Sequence, residues 1–267
     1  MKKLIIVHGM KRSGNHAIIN WLKAHDRFVF FNNIIPIASI LRGVKTIPPP
    51  VDFTLWLRRE LLPRGLQWAF FLKRFALRTR RVIVSLEDHD LQIRPFLNVP
   101  CEVTNILILR DPHNLFASRI RKASLVDNPA YPGRAGPAME RVVQVWKGHA
   151  REYLGLTDYL DNRLCIYFNS WVSSQDYRRH VSRGLSLEFT DDGFSRVSQI
   201  GGGSSFGGTR FADDSLRVDV LNRSSYLTDA ERQLHKDVLE DEELRELAHR
   251  IAVRNQRYQV MAGEEDA

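Results

Sequence analysis

The sequence predicts an α/β fold of three layers, with a central parallel sheet of about four to five strands flanked by helices. Three observations carry this reading. Short aliphatic runs recur without polar alternation, the pattern of strands covered on both faces. Helical patterns separate those runs, as βαβ crossovers require. A glycine-containing turn follows the first run and opens the first helical pattern.

The runs are Leu4-Ile5-Ile6-Val7, Val82-Ile83-Val84, Ile106-Leu107-Ile108-Leu109 and Leu164-Cys165-Ile166-Tyr167-Phe168. The first helix is expected from Asn15, with Ile18, Ile19 and Leu22 on its apolar side. A second begins near His113. A longer one is expected over about Met139 to Leu160, with Val142, Val145, Trp146, Tyr153 and Leu154 as apolar contacts. A last helix is expected from Asp229 to Asn255, followed by a frayed tail from Gly263. Thr228 with Glu231 three residues on forms a capping box at its start. Leu234, Val238, Leu244, Leu247 and Ile251 fall mostly on one of its faces. Three stretches interrupt the pattern: Pro48-Pro49-Pro50, the Pro/Gly-rich segment Asn128 to Pro137 as a candidate lid, and the Gly/Ser run Gly201 to Gly208. No internal repeat occurs. The expectation is a single domain over 1–267 with a basic-aromatic helical insertion around 33–81.

The chain has 267 residues, 43% of them hydrophobic and 26% charged, enough to bury a sizeable core. A net charge of +8 favours anionic partners such as nucleotides, sulfated or phosphorylated molecules, nucleic acid or an acidic membrane face. The cysteines are Cys101 and Cys165, each in or beside an apolar run. Buried reduced thiols are expected of them, and neither has metal-site spacing. No apolar stretch reaches the ~20 residues of a membrane span.

The glycine turn reads Gly9-Met10-Lys11-Arg12-Ser13-Gly14-Asn15-His16. Its glycines have Walker A spacing, but Asn15 and His16 stand where Lys and Ser/Thr would follow. Such a turn aims backbone N–H groups at one point, and the helix N-terminus adds positive potential. With Lys11 and Arg12 it forms an anion cradle without the usual hydroxyl ligand for Mg²⁺, so the fold is read as P-loop-containing. The bland alternative is a structural strand-to-helix turn with basic residues on its surface.

A second motif follows the third run: Arg110-Asp111-Pro112-His113-Asn114-Leu115-Phe116-Ala117-Ser118. Arg110 leaves the sheet at its carboxyl edge, where open α/β sheets bind ligands. Ser118 lies about two turns along the next helix. Both could reach one phosphate, Arg110 as a charged fork and Ser118 as a hydroxyl donor. Otherwise Arg110 caps a sheet edge and Ser118 is an ordinary helix residue.

Together the two motifs resemble the PAPS-dependent sulfotransferases, in a divergent, bacterial-type form. The resemblance implies that Arg12, Ser13, Gly14, Asn15 and His16 grip the 5′-phosphosulfate, and that Arg110 and Ser118 grip the 3′-phosphate. It extends to Phe168-Asn169-Ser170-Trp171, which places Phe168 near the adenine, and to Asn222–Thr228 after the Gly/Ser loop. There it makes Arg217 and Arg223 candidates for a further 3′-phosphate contact. The sequence departs from many members in having Arg12 for Lys and Asn15-His16 for paired hydroxyl residues, and it lacks the Gly-Asp-Trp-Lys pattern of cytosolic members.

The second run leads into Glu87-Asp88-His89-Asp90, a carboxylate and imidazole cluster at the same sheet edge. Sulfuryl transfer to a hydroxyl needs a base for the acceptor proton and a cation at the leaving oxygen. The resemblance puts Glu87 in the base role with His89 second, while His8 and His16 flank the loop as competitors. Arg12, helped by Lys11, would stabilise the leaving PAP; no metal is implied. A solvated polar loop remains the alternative for the Glu87 cluster.

The stretch from Trp56 to Arg81 mixes Trp68, Phe70, Phe71 and Phe75 with Lys73, Arg74 and Arg78. A helix packed on the sheet with a basic outer face accounts for it. An interfacial helix on an acidic membrane, or an anionic-acceptor surface, is the alternative.

The function expected is transfer of a sulfuryl group from PAPS to a hydroxyl or amine acceptor: a carbohydrate, a lipid-linked molecule or a small molecule. The partners expected are PAPS and its product PAP, plus an acceptor that is anionic or membrane-associated; no specific nucleic acid is expected. The competing readings are a P-loop phosphotransferase with a degenerate Walker A loop and a non-catalytic nucleotide or nucleic-acid binder. The expected location is the cytoplasm, with room for a peripheral place at the inner membrane face.

Overall fold

A computed structural model describes residues 3–26, 28–32, 81–93, 102–126, 131–194 and 219–265. The described elements are β1 (Lys3–Gly9), α1 (Asn15–His25), β2 (Phe28–Phe31), β3 (Arg81–Glu87), β4 (Glu102–Leu109), α2 (Pro112–Leu125), α3 (Pro137–Leu154), β5 (Arg163–Tyr167), α4 (Phe168–Ser173), α5 (Gln175–Gly184), α6 (Asp229–Leu239) and α7 (Glu242–Glu265). Two short 3₁₀ turns, Asp219–Leu221 and Arg223–Tyr226, precede α6.

The strands form one five-stranded parallel sheet in the order β2-β3-β1-β4-β5. Helices cover both faces, so β1 is buried from Leu4 to Gly9 and β3 from Val82 to Glu87. Ile5, Val7, Ile83, Ile106, Ile108 and Ile166 pack on one side against Ile18, Ile19, Trp21 and Leu22 of α1 and Val181 of α5. Leu107, Leu109 and Tyr167 pack on the other against α2, α3, α6 and α7, with Phe116, Trp146, Val238 and Ile251 among their neighbours.

The register brings the motifs together. Gly9 stands opposite Glu87 on one side and Ile108 on the other. Leu109 stands opposite Tyr167. The residues that follow these positions therefore leave the sheet at one carboxyl edge. The connections from β1 and β4 run to opposite ends of the sheet, so the crevice between them is a topological switch point, where ligands bind in open α/β sheets.

The structure differs from the sequence-based expectation at four places. Phe28–Phe31 is an added edge strand, paired with β3. The last strand ends at Tyr167, and Phe168 starts α4. The long middle helix stops at Leu154 because Gly155 takes the left-handed conformation (φ 74°). The final helix is two helices. The capping box at Thr228 and Glu231 starts α6 as expected, but α6 ends at Leu239 and Asp241 restarts the chain by accepting the Leu244 N–H at 2.9 Å. The second of the two then runs past Asn255 to Glu265, through the start of the tail expected to fray.

The insertion, apart from Arg81 in β3, lies outside the described residues. So do Cys101, residues 128–130 of the candidate lid, the Gly/Ser run and Arg217. Cys165 is partly buried, and burial pushes its thiol up to about 11, which keeps it protonated at neutral pH. No described helix is long and apolar enough to cross a membrane.

Candidate active site

The glycine loop is tied together by its own side chains. Arg12 and Gly14 both adopt positive φ (74° and 91°), which turns the chain sharply before α1. The Ser13 N–H and hydroxyl both donate to the Met10 carbonyl, at 3.0 and 2.7 Å. Asn15 lies inside the loop: its Oδ1 is 2.7 Å from the Ser13 hydroxyl, and its Nδ2 donates to the Met10 carbonyl at 3.1 Å and to Glu87 Oε1 at 3.2 Å.

Both glycines are required sterically. A Cβ on Gly9 would come within 2.2 Å of Asn15 Oδ1, and one on Gly14 within 2.1 Å of the Phe168 ring. Asn15 is thus a short amide buried under the loop, where a Walker A lysine would reach out of it.

The second motif meets the first. Arg12 Nε donates to the Ser118 hydroxyl at 3.1 Å. Arg110 Nη1 donates to the Arg12 carbonyl at 2.9 Å, and its Nη2 donates to the Val220 carbonyl. The Arg110 guanidinium lies over the Phe168 ring, 4.9 Å from its centroid. Trp146 Nε1 donates to the Arg110 carbonyl at 3.0 Å, so α3 fixes this backbone from behind. Arg110 is 5% exposed, and its Nε has no hydrogen-bond partner. Burial lowers its pKa to about 10 against the pull of Asp111, with Arg223 and Arg12 adding to the lowering. It therefore stays charged at neutral pH.

The 3₁₀ turns are clamped onto this centre by Asn114. Its Oδ1 accepts the Arg223 N–H at 2.6 Å, and its Nδ2 donates to the Leu221 carbonyl at 3.0 Å and to Asp111. Asp111 caps α2 through the Asn114 N–H at 2.8 Å and accepts from Asn169 Nδ2 at 2.9 Å. Buried Arg223 thereby reaches the field of Arg110. The Asp-Pro-His-Asn string carried a visible helix-start signal, but the bridge to residues more than a hundred positions away did not show in it.

Glu87 faces the loop. Besides Asn15, it has His16 Nε2 at 3.8 Å from its Oε1. Burial lowers the His16 pKa, with Glu87 opposing and Arg12 reinforcing. His89 turns away into the core beneath the sheet edge: its Nε2 donates to the Ile93 carbonyl at 2.6 Å, and its own carbonyl accepts from His149 Nε2 at 2.8 Å. His8 is buried nearby, 6.3 Å from the His89 ring, and its Nε2 donates to Asn105 Oδ1 at 2.9 Å.

Asp88, a member of the carboxylate and imidazole cluster expected after β3, and Arg119, to which the sequence drew no attention, belong to the loop's surroundings. Asp88 forms an ion pair with Arg119 (2.7 Å) and with Lys11 (3.5 Å). The Arg119 guanidinium lies over the Tyr131 ring, 5.7 Å from its centroid, and Tyr131 feels the charge of Arg12.

Among the described residues the centre thus gathers Lys11, Arg12, Arg110, Arg119 and Arg223 around three carboxylates, Glu87, Asp88 and Asp111. The excess of buried guanidinium charge among the described residues and the unpartnered Arg110 Nε suit a polyanionic ligand. Among the described residues no cluster of His, Cys, Asp and Glu suits a metal ion.

No family model matches this chain, and no curated protein matches it. Among solved structures it is similar to a sulfotransferase domain from the curacin biosynthetic pathway, at 12% identity, covering 94% of this chain and 98% of that one with a TM-score of 0.45. It is also similar to mouse sulfotransferase SULT7A1 complexed with PAP, at 14% identity, covering 93% of this chain and 89% of that one with a TM-score of 0.43.

Proposed function

We propose that this protein is a sulfotransferase that takes the sulfuryl group of PAPS and passes it to a hydroxyl or amine acceptor. The observation that carries the reading is the junction of the two motifs. Arg12 meets Ser118, and buried Arg110 meets both the Arg12 carbonyl and the Phe168 ring. One centre is thereby equipped for two separated anionic groups and an aromatic base. Arg110, Ser118 and Arg223 are assigned to the 3′-phosphate. The loop from Lys11 to His16 is assigned to the 5′-phosphosulfate, and Phe168 to the adenine.

In this scheme Glu87 takes the proton of the acceptor as its oxygen or nitrogen forms the bond to sulfur. The bond from sulfur to the donor's phosphate oxygen breaks, and Arg12 sits where that oxygen gains charge. Asn15 holds Glu87 in place, and His16 stands on the other side of the same carboxylate. The burial of Asn15 speaks against the phosphotransferase alternative, because the position that grips phosphate in a Walker A loop is spent on the Met10 carbonyl and Glu87. The acceptor is assigned to the carbohydrate, lipid-linked or small-molecule class and the location to the cytoplasm, both on the resemblance and composition alone.

The test is calorimetric titration with PAP and, in parallel, with ADP. Micromolar PAP binding with far weaker ADP binding is expected. Arg110→Ala should weaken PAP by about 2–3 kcal/mol, on the order of 30- to 150-fold, since it removes charge-assisted hydrogen bonds. Absence of PAP binding by the folded wild type overturns the reading.

A further inference from the structure

Asp88 sits one residue past β3 with φ at +54°, a left-handed conformation that Asp and Asn tolerate better than most residues. Its N–H donates to the Gly9 carbonyl at 3.0 Å, which ties it to the end of β1. Its Oδ1 accepts the Lys11 N–H at 3.0 Å and Arg119 Nη1 at 2.7 Å. Its Oδ2 accepts Arg119 Nη2 at 3.2 Å and lies 3.5 Å from Lys11 Nζ. The same Arg119 Nη1 donates to the Lys11 carbonyl at 3.0 Å. Lys11 is therefore held at both its N–H and its C=O, by Asp88 and Arg119 acting as one unit.

That grip has a directional consequence. A trans peptide is planar, so its N–H points opposite to its C=O. Pinning the Lys11 carbonyl on Arg119 aims the Arg12 N–H away from α2.

We propose that Asp88 is a positioning residue that sets the shape of the glycine loop, fixing the Lys11–Arg12 peptide through Arg119 so that the Arg12 amide faces the bound anion. The proposal rests on the loop being the 5′-phosphosulfate site. Asp88 touches no reacting atom in this role. Arg119 and Lys11 keep its carboxyl ionised, lowering its pKa against the effect of burial.

The role has a sign that distinguishes it from plain electrostatics. A bystander carboxylate beside an anion site repels the ligand, so neutralising it should raise affinity. A positioning carboxylate should do the reverse. In Asp88→Asn the side-chain NH₂ would face donors of Arg119 and Lys11, and the forked grip on Arg119 is lost.

The experiment pairs PAP titration with hydrogen exchange of the loop amides in Asp88→Asn and Asp88→Glu. Breaking a buried pair can unfold a domain, and Asp88→Glu covers that case: it keeps the charge and displaces it by one methylene. The expected result for each folded variant is an affinity for PAP reduced about tenfold, with exchange of the Lys11 amide accelerated by a similar factor. Unchanged or tighter PAP binding, or unchanged Lys11 exchange, overturns the proposal. The exchange readout needs no ligand. If the wild type fails to bind PAP, the sulfotransferase reading falls while Lys11 exchange still decides whether Asp88 holds the loop.

Discussion

Asn15 shows how a single side chain separates this loop from the Walker A pattern it echoes in spacing. Its amide closes the loop from beneath and reaches Glu87, so the turn is stabilised by its own residues before any ligand arrives. Gly14 is the counterpart on the other side: its missing side chain admits the Phe168 ring, and its φ of 91° suits glycine. Gly14→Ala should therefore cost about 2–4 kcal/mol, from overpacking and left-handed strain together. It should also abolish PAP binding at micromolar concentration. Thermal unfolding checks the first expectation and calorimetry the second. Gly14→Ala with Phe168→Leu should recover part of the stability, because the clash is with that ring. Equal stability of the single and double variants would show that the backbone strain, not the contact, dominates.

At the scale of elements, the sequence made the central strands legible because their runs lack polar alternation, and the register then brought Gly9, Glu87 and Arg110 to one edge. The glycine loop, Arg110 and Ser118 were legible for the same reason: each sits at a fixed offset from a strand end. The roles of Asp88, Arg119, Asn114 and Trp146 at the site were not, because they depend on contacts across helices that periodicity does not encode. Edge strand β2 is four residues long and gave too short a pattern to read. The break at Asp241 was hidden by apolar positions that continue through it.

Buried Lys147 explains that break in part. Its Nζ is 2.6 Å from Asp241 and 3.3 Å from Glu243, pinning the junction of α6 and α7 to α3. Farther along α3, Glu152 does the same for the connection to β5. It is fully buried and accepts the Thr157 hydroxyl (2.6 Å), the Tyr159 and Leu160 N–H groups (3.0 and 3.1 Å) and Arg163 (3.0 Å). Glu152→Gln keeps the size, removes the charge and turns an acceptor into a donor. A loss of about 1–3 kcal/mol is expected in urea unfolding, from the mismatched buried hydrogen bonds, because Arg163 keeps Asp158 as a partner, with no loss of PAP affinity in the protein that remains folded. A loss below about 1 kcal/mol would mean that the connection tolerates rearrangement.

At the scale of the whole molecule, charge among the described residues is distributed unevenly. Guanidinium groups concentrate at the carboxyl edge, while uncharged imidazoles lie just beneath it. His8, His89 and His149 are all buried on the α2/α3 side, and burial is the first cause that lowers the pKa of each; His8 falls to about 3. They face one another and the carboxylates Asp88 and Asp90, whose attraction is weaker than the cost of burying a charged ring. In the unfolded chain each would titrate near 6.5. Below that pH the unfolded state binds more protons than the folded one, so stability falls as pH falls. For His8 the loss is about 1.4 kcal/mol per pH unit, running from about 6.5 down to the folded value. Above 6.5 none of the three contributes a slope. Thermal unfolding followed between about pH 8 and 5 should thus show a plateau and then a decline that begins well above the carboxylate range. Asp88, whose pKa is lowered by Arg119 and Lys11, adds its own loss only below about 4. His8→Asn, which keeps a polar partner for Asn105, should make the decline shallower between pH 6.5 and 5 while leaving the plateau's shape intact. An unchanged slope in that variant would assign the acid sensitivity to other groups and leave His8 as a packing residue.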